Sequence, residues 1–258
     1  MTQTPKIRLR DVHKRFGSLR VLRGIDLEIE AGESLVVIGG SGTGKSVLLK
    51  SVLGLLEPDQ GTIEIDGEDT TRLRGAQRTD LLSRFGMLFQ GGALFDSLTV
   101  WQNIAFQGLQ RRTLKRSDAH DLAVRKLADV GLQSDVANMM PVQLSGGMQK
   151  RVALARAIAT DPEIIFFDEP TTGLDPIMGD VINDLIVKCT KELGATALSI
   201  THDMASARKI ADKIAMLYEG ELIWQGAATA IDDSNNPYVD QFIHGRAEGP
   251  IKMPIEAD

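Results

Sequence analysis

Gly39-Gly-Ser-Gly-Thr-Gly44-Lys45-Ser46 spells G-x-x-x-x-G-K-[ST], a spacing suited to holding phosphate. The glycines let successive backbone N–H groups turn toward one anion. Lys45 adds a positive charge for the outer phosphates, and the Ser46 hydroxyl suits Mg²⁺. An unbroken apolar run, Leu35 to Ile38, comes just before, and Val47 to Leu56 reads as a helix. The loop therefore falls where a strand becomes a helix, whose free N–H groups favour anions. A merely flexible Gly-Ser loop is the bland alternative, and these flanks argue against it.

Asp168-Glu169 ends a second apolar run, Ile164 to Phe167. An acidic pair at the carboxyl end of a central strand lies where open α/β sheets bind ligands. Asp168 is expected to hold Mg²⁺ through water, and Glu169 to orient or deprotonate an attacking water. The competing reading is a helix N-cap. His202 closes a third run, Ala195 to Ile200, and a lone histidine there is structural about as often as functional. On a neighbouring strand end it could reach a γ-phosphate. Leu144-Ser-Gly-Gly-Met148 opens a helical run, Gln149 to Ile158. Ser145, Gly146 and Gly147 would expose a second set of N–H groups, and hence a second anion site. Two phosphate sites on one chain suggest a nucleotide shared between two copies.

These groups need a sheet to position them. Runs covered on both faces, alternating with helices, imply a parallel sheet wound right-handedly. Before it, Ile25, Leu27 and Ile29 alternate with acidic residues, and Ile63 and Ile65 repeat the pattern, as half-exposed strands do. Ile214 to Tyr218 and Leu222 to Trp224, joined by Glu219-Gly220, read as a closing hairpin. Val181 to Leu193 reads as a helix capped by Gly194. Residues 91–155 have helical periodicity and no buried strand. The expected organisation is an α/β core of residues 1–90 and 156–244, a helical insertion at 91–155, and a tail at 245–258. In that tail Ile251, Met253 and Ile255 alternate, as in an extended arm laid on a second copy.

The 258 residues are 43% hydrophobic, enough for a sizeable core, and carry a net charge of -6. That charge argues against nucleic acid as the main partner. The single cysteine, Cys189, excludes an internal disulfide. It lies in a helical stripe with Met178, Ile182, Leu185, Ile186 and Leu193, so a buried thiol is expected. No run of about 18 apolar residues occurs, and the amino terminus has no secretory pattern, so a cytosolic protein is expected.

In this order and spacing, the phosphate loop, Gln90, LSGGM, FFDEP, TTGLDP and THD resemble the ABC transporter ATP-binding subunits over roughly residues 6–244. The resemblance implies a P-loop NTPase (RecA-like) parallel core, an amino-terminal antiparallel β region and an inserted helical subdomain. It also implies two copies facing head to tail around two ATP molecules. Gly39, Gly40, Ser41, Gly42, Thr43, Gly44, Lys45, Ser46 and Val47 would cradle the phosphates. Phe16 would stack on adenine in place of the more usual Tyr, keeping the π-face. Lys45, Glu169 and His202 would serve catalysis, and Ser46, Gln90 and Asp168 would hold Mg²⁺. Ser145, Gly146 and Gly147 would meet the other copy's nucleotide, and Asp175 would signal across the pair. Met148 departs from the usual Gln.

Within that family, Phe89-Gln-Gly-Gly-Ala-Leu-Phe95, the LSGGM variant and the Val239 to Pro250 ending resemble Mla-type ATPases of phospholipid transport. That likeness implies a permease, a periplasmic MCE-domain protein and a small STAS-like protein as partners, with the ATPase peripheral on the cytoplasmic face of the inner membrane. An importer of amino acids or another small solute is the alternative within the class. A non-transport ATPase lacks support, since there is no long coiled-coil insertion and one cassette only. Intact Glu169 and His202 oppose an inactive scaffold. Lys45→Ala is expected to weaken ATP binding, because it removes a charge-assisted contact to the phosphates; equilibrium titration with nucleotide checks this.

Overall fold

The computed structural model describes residues 4–252. β1 (Ile7–Phe16) and β2 (Leu19–Ile29) pair as an antiparallel hairpin, after which the chain enters a second sheet through β3 (Ser34–Ile38) and α1 (Lys45–Val52). It returns to the first sheet for β4 (Gln60–Ile65) and β5 (Glu68–Asp69), giving the order β2-β1-β4-β5. Next come α2 (Gly75–Ser83) and β6 (Phe85–Leu88). Three helices follow without a described strand between them: α3 (Val100–Gln110), α4 (Arg116–Asp129) and α5 (Gly146–Ala157). The second sheet then resumes with β7 (Ile164–Asp168), α6 (Pro176–Leu193), β8 (Thr196–Thr201) and α7 (Met204–Ile210). β9 (Lys213–Tyr218) and β10 (Glu221–Ala227) form the closing hairpin, and α8 (Pro237–Ile243) is the last element among the described residues. The second sheet runs β10-β9-β3-β8-β7-β6, parallel except for β10.

The apolar runs are strands because both faces of this sheet are covered. Leu35 and Val37 of β3 face a core shared with Ile7, Leu9, Leu48 and Phe166. Val36 and Ile38 face another core, with Phe167, Val152, Ile182 and Cys189. β7 divides in the same way, Phe166 to one core and Phe167 to the other. Truncating either fully buried ring would cost about 3–5 kcal/mol. Cys189 is 2% exposed, and burial, ahead of nearby Asp129 and Glu192, pushes its thiol up to about 11.

Local expectations differ from the structure at identifiable places. α1 stops at Val52 and not at Leu56, because the chain turns at Gly54 (φ 68°) and Leu55 and Leu56 both donate back to Lys50 O. α6 begins at Pro176, five residues before Val181, since the Asp175 carboxylate caps it. α2 carries little apolar signal, because none of its residues is fully buried and only Leu81 and Leu82 pack half-buried against a core. In the tail, the described residues from Gly245 fold back on their own subunit. Gln241, 6% exposed, donates to the carbonyls of Arg246 (3.1 Å) and Ile251 (3.0 Å) and accepts from Ile251 N–H (2.7 Å). Ile251 packs against the core of its own subunit. Met253 and Ile255 of the expected arm lie outside the described residues.

An ion network ties the two sheets together at the end remote from the phosphate loop. Glu163, ahead of β7, pairs with Arg84 (2.8 Å) and Lys6 (2.6 Å), and both cations also pair with Asp66 after β4. Hydrogen bonds from Arg84 and then Lys6 hold the Glu163 carboxyl down at about 2. A depressed carboxylate adds stability above its unfolded value near 4.5 and loses it as pH falls toward 2. Half of the Glu163 side chain is exposed, so solvent screens the effect. Glu163→Gln should therefore unfold at lower denaturant than wild type at pH 7, with the gap narrowing as pH falls below about 4.5; denaturation series across pH check this.

Candidate active site

Parallel pairing brings four chemically distinct segments to one edge. Ile38 pairs with Thr201, Asp168 with Ile200, and Leu88 with Phe167, so β3, β8, β7 and β6 end side by side. The residues that follow those ends are the phosphate loop, His202, Glu169 and Gln90. The loop itself is closely fitted. A Cβ on Gly44 (φ 107°) would come 2.9 Å from Val21 O, so only glycine lets the loop pass under β2. Phe16 lies at the tip of that same hairpin, 47% exposed, with Lys14 Nζ 5.7 Å from its ring centroid. It is available for stacking.

Lys45 is 8% exposed, and its Nζ donates to the carbonyls of Gly39 (2.7 Å) and Gly40 (2.8 Å). Burial lowers the affinity of this amine for its proton, while Glu169 and Asp168 oppose that loss. Burial also raises the Asp168 carboxyl, and neighbouring Glu169 adds to the rise against Lys50, Lys150 and Lys45. The edge thus concentrates partly desolvated charges of both signs, which is the setting in which phosphate and a divalent cation bind strongly. Ser46 is exposed at the start of α1, beside Lys45.

Glu169 adopts a left-handed backbone (φ 48°), which costs a residue with a Cβ roughly 1–2 kcal/mol. The surroundings compensate. Its N–H donates to Ile200 O (3.0 Å), and its Oε2 accepts from the hydroxyls of Thr172 and Thr201, each at 3.2 Å. His202 Nδ1 lies 3.0 Å from the same carboxylate. His202 is thus drawn to Glu169 while most of its ring faces solvent, its side chain 61% exposed. Thr172 and Thr201 stand inside the TTGLDP and THD motifs, but nothing in the sequence signals their bonds to Glu169.

Ser145 caps α5, accepting from Met148 N–H (3.3 Å), and both Ser145 and Gly146 are exposed. Gly147 lies against α6, where a Cβ would meet the flexible end of Met178, its Cε, at 2.5 Å and displace that methyl. That contact sets the α5 start beside α6, whose cap Asp175 accepts from the N–H groups of Ile177 (3.1 Å) and Met178 (3.0 Å). Ser145, Gly146, Gly147 and Asp175 thus form a second group. Among the described residues, none of its side chains bonds to Lys45, Asp168, Glu169 or His202.

The ABC transporter family profile matches residues 22–172. A probable ribonucleotide transport ATP-binding protein, mkl, of Mycobacterium tuberculosis is 42% identical over 98% of this chain and 70% of its own length. The intermembrane phospholipid transport system ATP-binding protein MlaF of Escherichia coli is 37% identical over 96% of this chain and 92% of its own. A dimeric ATP-binding cassette solved in a post-hydrolysis state with ADP and Pi superposes with a TM-score of 0.78 at 33% identity, covering 86% of this chain and 98% of that one. With the phosphate loop, the acidic pair, the histidine and the glutamine gathered on one sheet edge, the chain belongs to the ABC transporter family, as an ATPase subunit.

Proposed function

We propose that this subunit hydrolyses ATP as a head-to-tail pair of identical copies beneath a separate membrane permease, and that the assembly moves phospholipid. The separation of the two phosphate-directed groups supports the paired arrangement above all. One set of residues would meet a nucleotide at the strand ends, while Ser145 to Gly147, at the start of α5, share no side-chain bond with that set. Two copies in opposite orientation would bring each set to the other's nucleotide, with Asp175 beside the junction. The name of MlaF supports a phospholipid cargo, while that of mkl points to a different solute. No described helix is long and apolar enough to cross a membrane; in the proposed assembly the permease supplies the path. A periplasmic MCE-domain protein and a small STAS-like protein complete the expected assembly, in which this subunit is peripheral on the cytoplasmic face of the inner membrane.

Among the described residues, no three acidic, His or Cys side chains cluster tightly enough to hold a metal alone. The Ser46 hydroxyl, the Gln90 amide oxygen and the Asp168 carboxylate are nevertheless hard oxygen donors that suit Mg²⁺ once phosphate oxygens complete the set. The raised Asp168 carboxyl fits this, because a cation would relieve its repulsion with Glu169. Mg²⁺ held there would neutralise charge on the transferring phosphoryl group. Lys45 would exchange the Gly39 and Gly40 carbonyls for phosphate oxygens. His202 would turn from Glu169 toward the γ-phosphate, freeing a carboxylate oxygen to take the proton of the attacking water.

Glu169→Gln should bind ATP normally, accumulate as ATP-bound pairs and release phosphate at least roughly 100-fold more slowly. Near-normal phosphate release would remove Glu169 from the base role. Ser145→Arg should abolish hydrolysis yet leave binding by the single subunit intact. Mixing Ser145→Arg with Lys45→Ala subunits should restore part of the activity, because one composite site of a mixed pair is then wholly wild type; mixed pairs as inactive as their parents would end the shared-site reading. Mass spectrometry of the complex extracted from membranes should find a polytopic permease, an MCE-domain protein and phospholipid. Recovery with a soluble solute-binding protein and no lipid would favour the importer alternative.

A further inference from the structure

Charge is unevenly distributed along this acidic chain. Residues 72–116 carry eight basic and two acidic side chains, while the chain as a whole has a net charge of -6. Arg74 pairs with Glu57, and Arg84 with Glu163 and Asp66, so two of those cations are matched. Arg78 is half-buried and donates to Gly54 O. Four others crowd the positions from Arg111 to Arg116, where α3 gives way to α4: Arg111, Arg112, Lys115 and Arg116.

The turn that carries them is tightly built. The N–H groups of Thr113 (3.0 Å) and Leu114 (3.2 Å) both donate to Gly108 O. Arg111 Nη2 donates to Thr79 O (2.8 Å), which fixes the turn against α2. Arg112 takes a left-handed backbone (φ 59°), where glycine or asparagine is the usual residue after a helix. A Cβ is strained in that conformation, so an arginine stands there at some cost in stability. Arg112, Lys115 and Arg116 are exposed, and among the described residues their side chains make no hydrogen bond and no ion pair.

Beside these cations α3 keeps an apolar stripe partly open. Leu98, Trp101, Phe106 and Leu109 are half-buried and line a shallow groove that Arg116 borders. The Phe106 ring lies 4.5 Å from that of Phe95, which is itself 43% exposed. Cations without acceptors next to half-exposed aromatic rings suit the surface of an anionic bilayer. Its headgroups attract Lys and Arg, and aromatic rings settle at headgroup depth. A pocket for free phosphate would shield its donors, whereas these three are open to solvent.

We propose that the turn from Arg111 to Arg116 is where this subunit touches the membrane, its cations meeting the phosphates of anionic phospholipids. The inference rests on the reading above that the subunit works beneath a membrane permease. It adds a lipid contact that does not pass through that permease.

The test uses the purified full chain and two kinds of vesicle, phosphatidylcholine alone and phosphatidylcholine mixed equally with phosphatidylglycerol. The wild type should float with the mixed vesicles at low salt, leave them at high salt, and ignore phosphatidylcholine alone. Arg112→Gln, Lys115→Gln and Arg116→Gln combined should bind the mixed vesicles roughly 100-fold more weakly, at about fivefold per cation near an anionic surface. The same triple variant should bind a fluorescent ATP analogue as wild type does. Arg112→Lys with Arg116→Lys, which keeps the charge, should float like wild type. Should the triple variant fail to fold, Lys115→Gln alone, expected to bind about fivefold more weakly, decides by the same flotation. Equal flotation of the triple variant and wild type overturns the proposal. If that variant is also lost from the detergent-extracted complex, the turn meets the permease and not lipid. Wild type that ignores the mixed vesicles, or floats equally with phosphatidylcholine alone, overturns it as well. So does release by inorganic phosphate at matched ionic strength, which marks a free-phosphate site. Wild type that floats but recovers no permease from membranes removes the assembly reading, whereas permease-bound wild type that ignores mixed vesicles removes this inference alone.

Discussion

Side-by-side pairing of β3, β8, β7 and β6 is the constraint on which the site depends. Parallel strands must all leave the sheet in the same direction, so whatever follows each strand converges on one edge. The register decides which residues meet there: Ile38 opposite Thr201 and Asp168 opposite Ile200 place the phosphate loop, His202 and Glu169 at adjacent strand ends. A shift of one residue would exchange the two faces, driving Phe166 into the core that holds Phe167 and the reverse. The hydrophobic cores on both faces therefore enforce the chemistry at the edge, although no core residue takes part in it.

Charge at this edge is kept tolerable by mutual compensation. Lys45 and Lys150 are pulled from water, which works against their protons, while Asp168 and Glu169 work in the opposite direction. The same burial penalises the Asp168 carboxylate, and the lysines offset it. Removing one member would leave another desolvated and unpaired, which is usually more destabilising than the pair is stabilising. A nucleotide with its cation adds both signs of charge to a site already arranged for them.

A second polar network lies just behind the edge. Ser206, fully buried on α7, is 3.0 Å from the Thr171 hydroxyl, accepts from Asn183 of α6 (2.9 Å), and donates to Asp203 (2.6 Å). Asp203 caps α7 and sends its own N–H to the Thr201 hydroxyl (3.0 Å), which in turn donates to Glu169. The turn after Glu169, the helix after Asp175 and the helix after His202 are thereby joined by hydrogen bonds. The left-handed Glu169 persists because bonds on several sides hold it, as strained residues at functional sites require.

The chain alone settles much of this. Gly39 to Ser46, Asp168-Glu169 and His202 each follow an apolar run, and the local pattern of a run, its length and its terminating residues is enough to read strand ends and the chemistry placed on them. Buried strands announce themselves through continuous apolarity, which is why β3, β7 and β8 are legible while α2, with no buried residue, is not. Other features depend on neighbours distant in sequence. Nothing near Lys150 signals that its amine meets Gln90 O, sixty residues away, and nothing near Thr201 signals a bond to Glu169. The tail likewise reads as a free extended segment until Gln241 is seen bonded to Ile251. Hydrogen-bond partners of this kind are selected by where the packed cores put each backbone, a long-range outcome that periodicity, which reports only local faces, does not carry.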